Sequence, residues 1–297
     1  MEFISPLSDF GFKRLFGNTE KPHIAISFLN SVLDLRDSKS IKNITFLDPH
    51  NRHMAKLNKL SIVDVKCVDQ SGNKFIIEMQ FDSERDFAQR AQEYVACSIV
   101  DQLEVGDEYS KILPVYFVGV INFNMIKTTE EPITTYRPVQ VKKAKDKDYS
   151  MFMDDALLNL SSWTFIELKK FRTPLEACET LVDKWLYLLR YAHEQKEIPA
   201  LFGIEKVTKD AFELLNQGSM NSDEIAQYRA NLNALRAENS VIRSAKEEGR
   251  EEGREEGKEE GRHEEKLAMA NALLKKMSVA EVAEITGLSA DVLKKLS

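Results

Sequence analysis

The chain has 297 residues, enough for one core domain of about 150–250 residues plus extensions, and 43% of them are hydrophobic, so a real core can be buried. Charged residues make up 30% and the formal net charge is −7, a balance that does not advertise nucleic-acid binding but leaves room for a local basic rim around an acidic site. No basic leader precedes an apolar stretch, and the best apolar window, Ile112 to Phe123, is too short to span a bilayer, so a soluble cytoplasmic protein without a membrane span is expected.

In chain order, the segment Asp9 to Gly17 opens the fold. Pro22 then starts a helix in which Ile24, Phe28, Leu29 and Leu33 recur at helical spacing. Ile41 to Leu47 is β-branched and aromatic and ends at the turn signal Asp48-Pro49, a first strand. Leu60 to Val68 and Lys74 to Phe81 read as second and third strands. Asp69 to Asn73 joins them as an antiparallel hairpin with Gly72 available for a positive φ.

Ser83 is the expected cap of the next helix, with Asp86 three residues on. Its apolar stripe is Phe87, Ala91, Tyr94, Val95, Ile99 and Leu103, and Gly106 is its stop. Ile112 to Phe123 is nearly all apolar, as a strand covered on both faces reads. The third and fourth strands are thus joined through a helix, a βαβ crossover in an α/β fold with a mixed sheet. Further on, Tyr136 to Val141 and Trp163 to Leu168 read as added strands. Thr173-Pro174 begins a helix with Leu175, Leu181, Val182, Trp185, Leu188 and Leu189 on its apolar side, and beyond Ile204 only helical patterns follow. Cys67, Cys97 and Cys178 lie in apolar or periodic segments without a CxxC, which points to buried reduced thiols.

The hairpin carries the chemistry. Asp64 and Lys66 share one face of the second strand, and Glu78 and Gln80 share one face of the third. With the loop centred on Ser71, Asp64 lies directly across from Glu78, with Cβ atoms about 4.5–5.5 Å apart. Two carboxylates so placed among apolar residues repel each other, and a divalent cation would resolve the conflict. The alternative is a solvated sheet face. With a cation, the arrangement suits phosphodiester hydrolysis. Asp64 and Glu78 are the candidate direct ligands, with the carbonyl of Met79 as a further one. Gln80 and Lys66 are candidates to orient the attacking water.

Several pieces together resemble a known family. They are Ser8 to Gly17, Asp64, the Ile77-Glu78-Met79-Gln80 strand, Arg90 and Tyr94, Gly106-Asp107-Glu108-Tyr109, the segment Ile166 to Phe171, and a Glu-Glu-Gly-Arg repeat. The chain is similar over essentially its whole length to the recombination-promoting nucleases, a transposase-related family of the PD-(D/E)XK nuclease superfamily. The resemblance implies a restriction-endonuclease-like αβββαβ core and DNA endonuclease activity dependent on Mg2+, or on Mn2+ or Ca2+, linked to DNA recombination or transposition. Carried over, the superfamily aspartate falls on Asp64 and the glutamate on Glu78. The motif lysine falls on Gln80, as in the nearer family. Glutamine supplies neither a positive charge nor a general base. It can still orient water, and Lys66 is the candidate to restore the charge.

Arg90 and Tyr94 are spaced i, i+4 on one helix face and are candidates, with Lys13, for DNA contacts. Asp9 is a possible accessory acid, or simply a helix cap or surface residue. His50 and His53 have no partner at ligand spacing and read as surface residues.

The expected organisation is a nuclease-like domain over 1–200, a helical connector over 201–244, the charged repeat over 245–265 and a short helical tail over 266–297. In the repeat, Gly249, Gly253, Gly257 and Gly261 recur every four residues. Interior glycines weaken a lone helix by about 0.8–1.0 kcal/mol each, so the repeat reads either as a solvated, partly helical spacer or as a glycine stripe admitting a second helix in a homo-oligomer. The tail has a helix-turn-helix-like pattern, with Gly287 at the turn and Leu293 and Leu296 in the second helix. Three readings compete: an active nuclease; a catalytically weak or inactive DNA-binding accessory of a mobile element; and a helical oligomerising interaction protein.

Overall fold

The computed structural model describes residues 1–50, 62–138, 140–143, 149–152 and 159–296. The chain divides into two compact units, Met1–Asn231 and Leu232–Ser297.

The first unit begins with helices α1 (Asp9–Phe16) and α2 (Pro22–Val32). Ser8 caps α1, its hydroxyl accepting the Gly11 N–H, and Pro22 sits at the start of α2, where a missing N–H is harmless. Strands β1 (Ile44–Phe46), β2 (Val65–Asp69) and β3 (Lys74–Gln80) follow as an antiparallel meander. Helix α3 (Phe87–Val100) crosses over to β4 (Val115–Ile121), which lies parallel to β3. Beyond it come β5 (Ile133–Tyr136) and β8 (Ser161–Glu167), separated by a small hairpin, β6 (Gln140–Lys143) with β7 (Tyr149–Phe152). The main sheet is six-stranded and mixed, ordered β1-β2-β3-β4-β8-β5. The α/β expectation therefore holds, with an αβββαβ order through β4 and helices after the sheet.

Both faces of the sheet are covered, which explains the unbroken apolar run of β4. Val118 and Val120 pack with Ile77, Phe75 and Ile166 against the layer of α1, α2, α4 (Leu181–Tyr191) and α6 (Lys206–Leu215), α5 being the single turn Ala200–Gly203. Val115, Phe117 and Ile121 pack with Ile76 and Phe165 against Phe87, Ala91, Tyr94 and Val95 of α3. Residues 201–231 belong to this unit: Phe202, Phe212 and Leu215 are in its core.

Gly119 lies at the crowded centre of the α3 face. A Cβ there would stand 2.9 Å from the Phe117 ring and 3.3 Å from those of Phe87 and Phe165. Gly119→Val is expected to destabilise the fold by about 1–3 kcal/mol through overpacking, read as a lower denaturant midpoint. An unchanged midpoint would mean that these rings are not packed as described.

Several boundaries differ from expectation, among them the end of α3, which stops at Val100, short of Leu103 and the expected stop Gly106. The β2 ladder begins at Val65, and Asp64 lies in the bend before it; positions 60 and 61 are outside the described residues. Helix α3 starts at Phe87, not near Ser83, and its cap residue Asp86 makes no side-chain cap bond. The buried Phe87 ring anchors that start, while Glu84 is bound to Arg90. The expected strand Tyr136 to Val141 spans the end of β5 and the start of β6. Pro138, which has no N–H to donate, lies between them. The helix expected from Pro174 makes only a short 3-10 turn, Leu175–Ala177, and α4 starts after Thr180, where a full capping box with Asp183 satisfies the exposed N–H groups.

Cys67 and Cys178 are buried, Cys97 partly so, and none is in a disulfide. Burial pushes the Cys67 thiol up to about 12, which suits an inert core residue. Among the described residues, no helix is long and apolar enough to cross a membrane.

The second unit is helical. Helix α7 (Ser222–Leu273) runs into it from the first and carries the Glu-Glu-Gly-Arg repeat as helix, with an i, i+3 pair between Glu255 and Lys258 at 3.1 Å. Helices α8 (Val279–Thr286) and α9 (Ala290–Lys294) follow. Ser278 and Glu281 form a capping box, and Gly287 takes φ +69 at the turn, where a side chain would be strained. Ala270, Val282, Leu288 and Leu293 make a small separate core.

Candidate active site

The β2–β3 register pairs Val65 with Ile77 and Lys66 with Ile76. Extended by one step it brings Asp64 opposite Glu78, at the point where the ladder stops. There side chains replace the ladder. The Asp64 N–H donates to Glu78 Oε2 at 3.0 Å, and the Met79 N–H donates to Asp64 Oδ2 at 2.8 Å. Each carboxylate thus caps the strand end that carries the other. On its other edge, β3 uses the Gln80 carbonyl to accept the Asn122 N–H at 3.0 Å. Strand alternation therefore turns the Met79 carbonyl toward Asp64.

The two acids are poorly solvated, Glu78 being only 6% exposed. Burial, and then the Asp64 charge, push Glu78 up to about 8, against the opposing effects of the Asp64 N–H, Arg90 and Lys13. Burial also raises the Asp64 carboxyl above its ordinary value, although the Met79 N–H, Lys13 and Arg90 pull the other way. The metal-free site therefore does not readily hold two negative charges near neutral pH.

Three basic groups surround the pair unequally. Lys13 on α1 lies 3.9 Å from Asp64 and 2.6 Å from Asp9, one helical turn before it. Asp9 reaches the site electrostatically, adding its charge to those acting on Asp64. Arg90 on α3 donates to Gln80 Oε1 at 2.6 Å, pairs with Glu84 at 2.7 Å, and lies over the rings of Phe87 and Tyr94. Its buried Nε has no hydrogen-bond partner among the described residues. Tyr94 is buried under the pair, and burial together with Glu78 raises its hydroxyl pKa. Lys66 shares the face of Asp64, but its ammonium lies 4.0 Å from Asp101 at the far end of α3. Among the described residues, the lysine within 4.0 Å of a site carboxylate is Lys13.

The structure thus brings Asp64, Glu78, Met79, Gln80, Arg90, Tyr94, Lys13 and Asp9 to one end of the sheet and directs Lys66 elsewhere. Glu84 joins them unannounced by the sequence. His50 bonds to Asp48 at 2.7 Å, and His53 lies outside the described residues. No cluster of three or more His, Cys, Asp or Glu side chains suited to a metal occurs among the described residues. Two carboxylates and a carbonyl are nevertheless an all-oxygen donor set, and Mg2+ commonly takes one or two carboxylates and completes its shell with water and phosphate. The raised acid pKa values fit such a cation, because its charge would allow both acids to ionise.

Residues 6–245 match the family model described as PD-(D/E)XK nuclease family transposase. No curated protein and no solved structure matches the chain.

Proposed function

The chain belongs to the PD-(D/E)XK nuclease family transposases, and from that premise we propose that it is a divalent-metal-dependent DNA endonuclease serving recombination or transposition, with Asp64 and Glu78 as its metal ligands. The observation that carries this reading is the buried, mutually repelling carboxylate pair at the broken end of the β2–β3 ladder. Folding stability alone gives no reason to keep such a pair.

Asp64, Glu78 and the Met79 carbonyl would hold the cation. Mg2+ bound there would polarise the scissile phosphate and supply an activated water. The protein's own groups do the rest. Arg90, lying over the rings of Phe87 and Tyr94, offers its guanidinium to a phosphate oxygen. Because Gln80 Oε1 is committed to Arg90, its NH2 group is left as the donor that orients water or phosphate. Lys13 provides, from α1, the positive charge that Gln80 lacks.

The test is incubation of the full chain with supercoiled plasmid in Mg2+, Mn2+, Ca2+ or chelator. Nicked or linear product in Mg2+ or Mn2+, and none in chelator, is expected. Cleavage indifferent to chelator would overturn the reading. No cleavage with any metal, but salt-dependent retention of DNA, would replace it with a non-cleaving accessory.

A further inference from the structure

On the other side of α3 from Arg90 lies a cavity of about 490 Å³, within the usual range for small-ligand sites. Tyr136, Trp163 and Phe165 from β5 and β8 line it, with Ala88 and Gln92 of α3 and the loop Met125 to Thr128. The Trp163 indole N–H is fixed to the Ala91 carbonyl at 3.2 Å.

The loop wall is held by a buried ion pair that the catalytic reading does not use. Glu167 accepts the Met125 and Ile126 N–H groups at 2.6 and 3.0 Å. Lys170 donates to the Ile126 and Thr129 carbonyls at 2.5 and 2.8 Å and to Glu167 at 2.5 Å. A buried pair is tolerable when hydrogen bonds satisfy it this fully. Its effect here is to fix the shape of one cavity wall in advance.

The position relates to the carboxylates. Gln80, Ile121 and Glu167 are aligned side by side across β3, β4 and β8. At about 4.8 Å per strand, the clamp lies about 10 Å across the sheet from Gln80. About three nucleotides span that distance, at about 3.4 Å of rise each.

We propose that this cavity receives an unstacked nucleobase of the DNA strand being cut, stacked on Tyr136 and Trp163, with Glu167 and Lys170 as positioning residues for the loop. Gln92 and Thr128 offer polar groups to the base edge, and the exposed Lys127 stands at the rim for a flanking phosphate. Aromatic side chains hold bases in this way without strict sequence preference. The proposal rests on the DNA-cleaving reading above and adds a substrate subsite to it.

The test measures binding of two short single-stranded oligonucleotides to the full chain in chelator, so that no cleavage intervenes. One is intact; the other has the same phosphates but abasic sites. The intact strand should bind about 5- to 150-fold more tightly, the range expected for one stacked base. Tyr136→Ala should reduce it to the abasic level while leaving abasic binding unchanged. Tyr136 is 47% exposed, so its truncation spares the core. The intact strand should also quench tryptophan emission, and Trp163→Phe should remove that quenching, since Trp185 is fully buried. Equal binding of the two strands, or no effect of Tyr136→Ala, would overturn the subsite while salt-dependent binding and Mg2+-dependent nicking left the nuclease reading standing. Binding of neither strand would also overturn the subsite, and the nuclease reading would then rest on the plasmid test in Mg2+ or Mn2+ alone.

Discussion

Glu78→Gln is expected to abolish plasmid cleavage and, at the same time, to make the metal-free protein more stable above neutral pH. On the proposed assignment the loss of activity follows from removing a metal ligand, and should reach at least about a thousandfold. The gain in stability follows from proton linkage. Burial and Asp64 raise Glu78 from its ordinary value to about 8, so between about 4.5 and 8 the folded chain keeps a proton that the unfolded chain releases. Stability from this group is therefore full at low pH and is lost as pH rises through that window, by on the order of a few kcal/mol. An amide has no proton to lose, and its oxygen can still accept the Asp64 N–H. In chelator at pH 8 the variant should melt several degrees above the parent, and at pH 5 the difference should shrink. Mg2+ should raise the parent's melting temperature and leave the variant's unchanged. A variant equally destabilised at both pH values would show that Glu78 is an ordinary structural acid.

The second large effect is expected at Arg90. Arg90→Ala removes the partner of Gln80 and Glu84 and the cation over Phe87 and Tyr94. It also removes a charge that favours ionisation of both Asp64 and Glu78. Cleavage should fall by at least about tenfold, and the slope of log affinity against log salt should lessen by about one phosphate contact. Arg90→Lys should recover much of the salt slope but not the rate, because an ammonium neither forks between Gln80 and Glu84 nor stacks on the rings in the same way. An unchanged slope in Arg90→Ala would remove Arg90 from the DNA surface.

Local pattern made much of this legible. The hairpin register could be read because two apolar strands flank a turn with Gly72, and the observed pairs Lys66–Ile76 and Val65–Ile77 follow it. The crossover to β4 followed from an apolar run too continuous for a half-exposed strand. Non-local pairings were not legible. Lys66 shares a strand face with Asp64, yet its ammonium goes to Asp101, thirty-five positions on, because α3 folds back along the sheet. The Asp9–Lys13 spacing of one helical turn was visible, but that α1 delivers Lys13 to Asp64 depends on packing across the core. The start of α4 was misread because Pro174 is a strong local signal, whereas the Thr180–Asp183 capping box is the stronger stop for unpaired N–H groups. Glu167 and Lys170 entered the sequence reading only within the segment Ile166 to Phe171 that carries the family resemblance; their role as a loop clamp appears once Met125 to Thr129 folds over them.

The most direct measurement is relaxation of supercoiled plasmid in Mg2+ by the full chain beside Asp64→Ala and Glu78→Ala, purified identically. If these two carboxylates hold the catalytic cation, the parent nicks the plasmid and each variant loses at least about a thousandfold in rate. Equal activity in all three preparations would contradict that assignment and place the cleavage elsewhere.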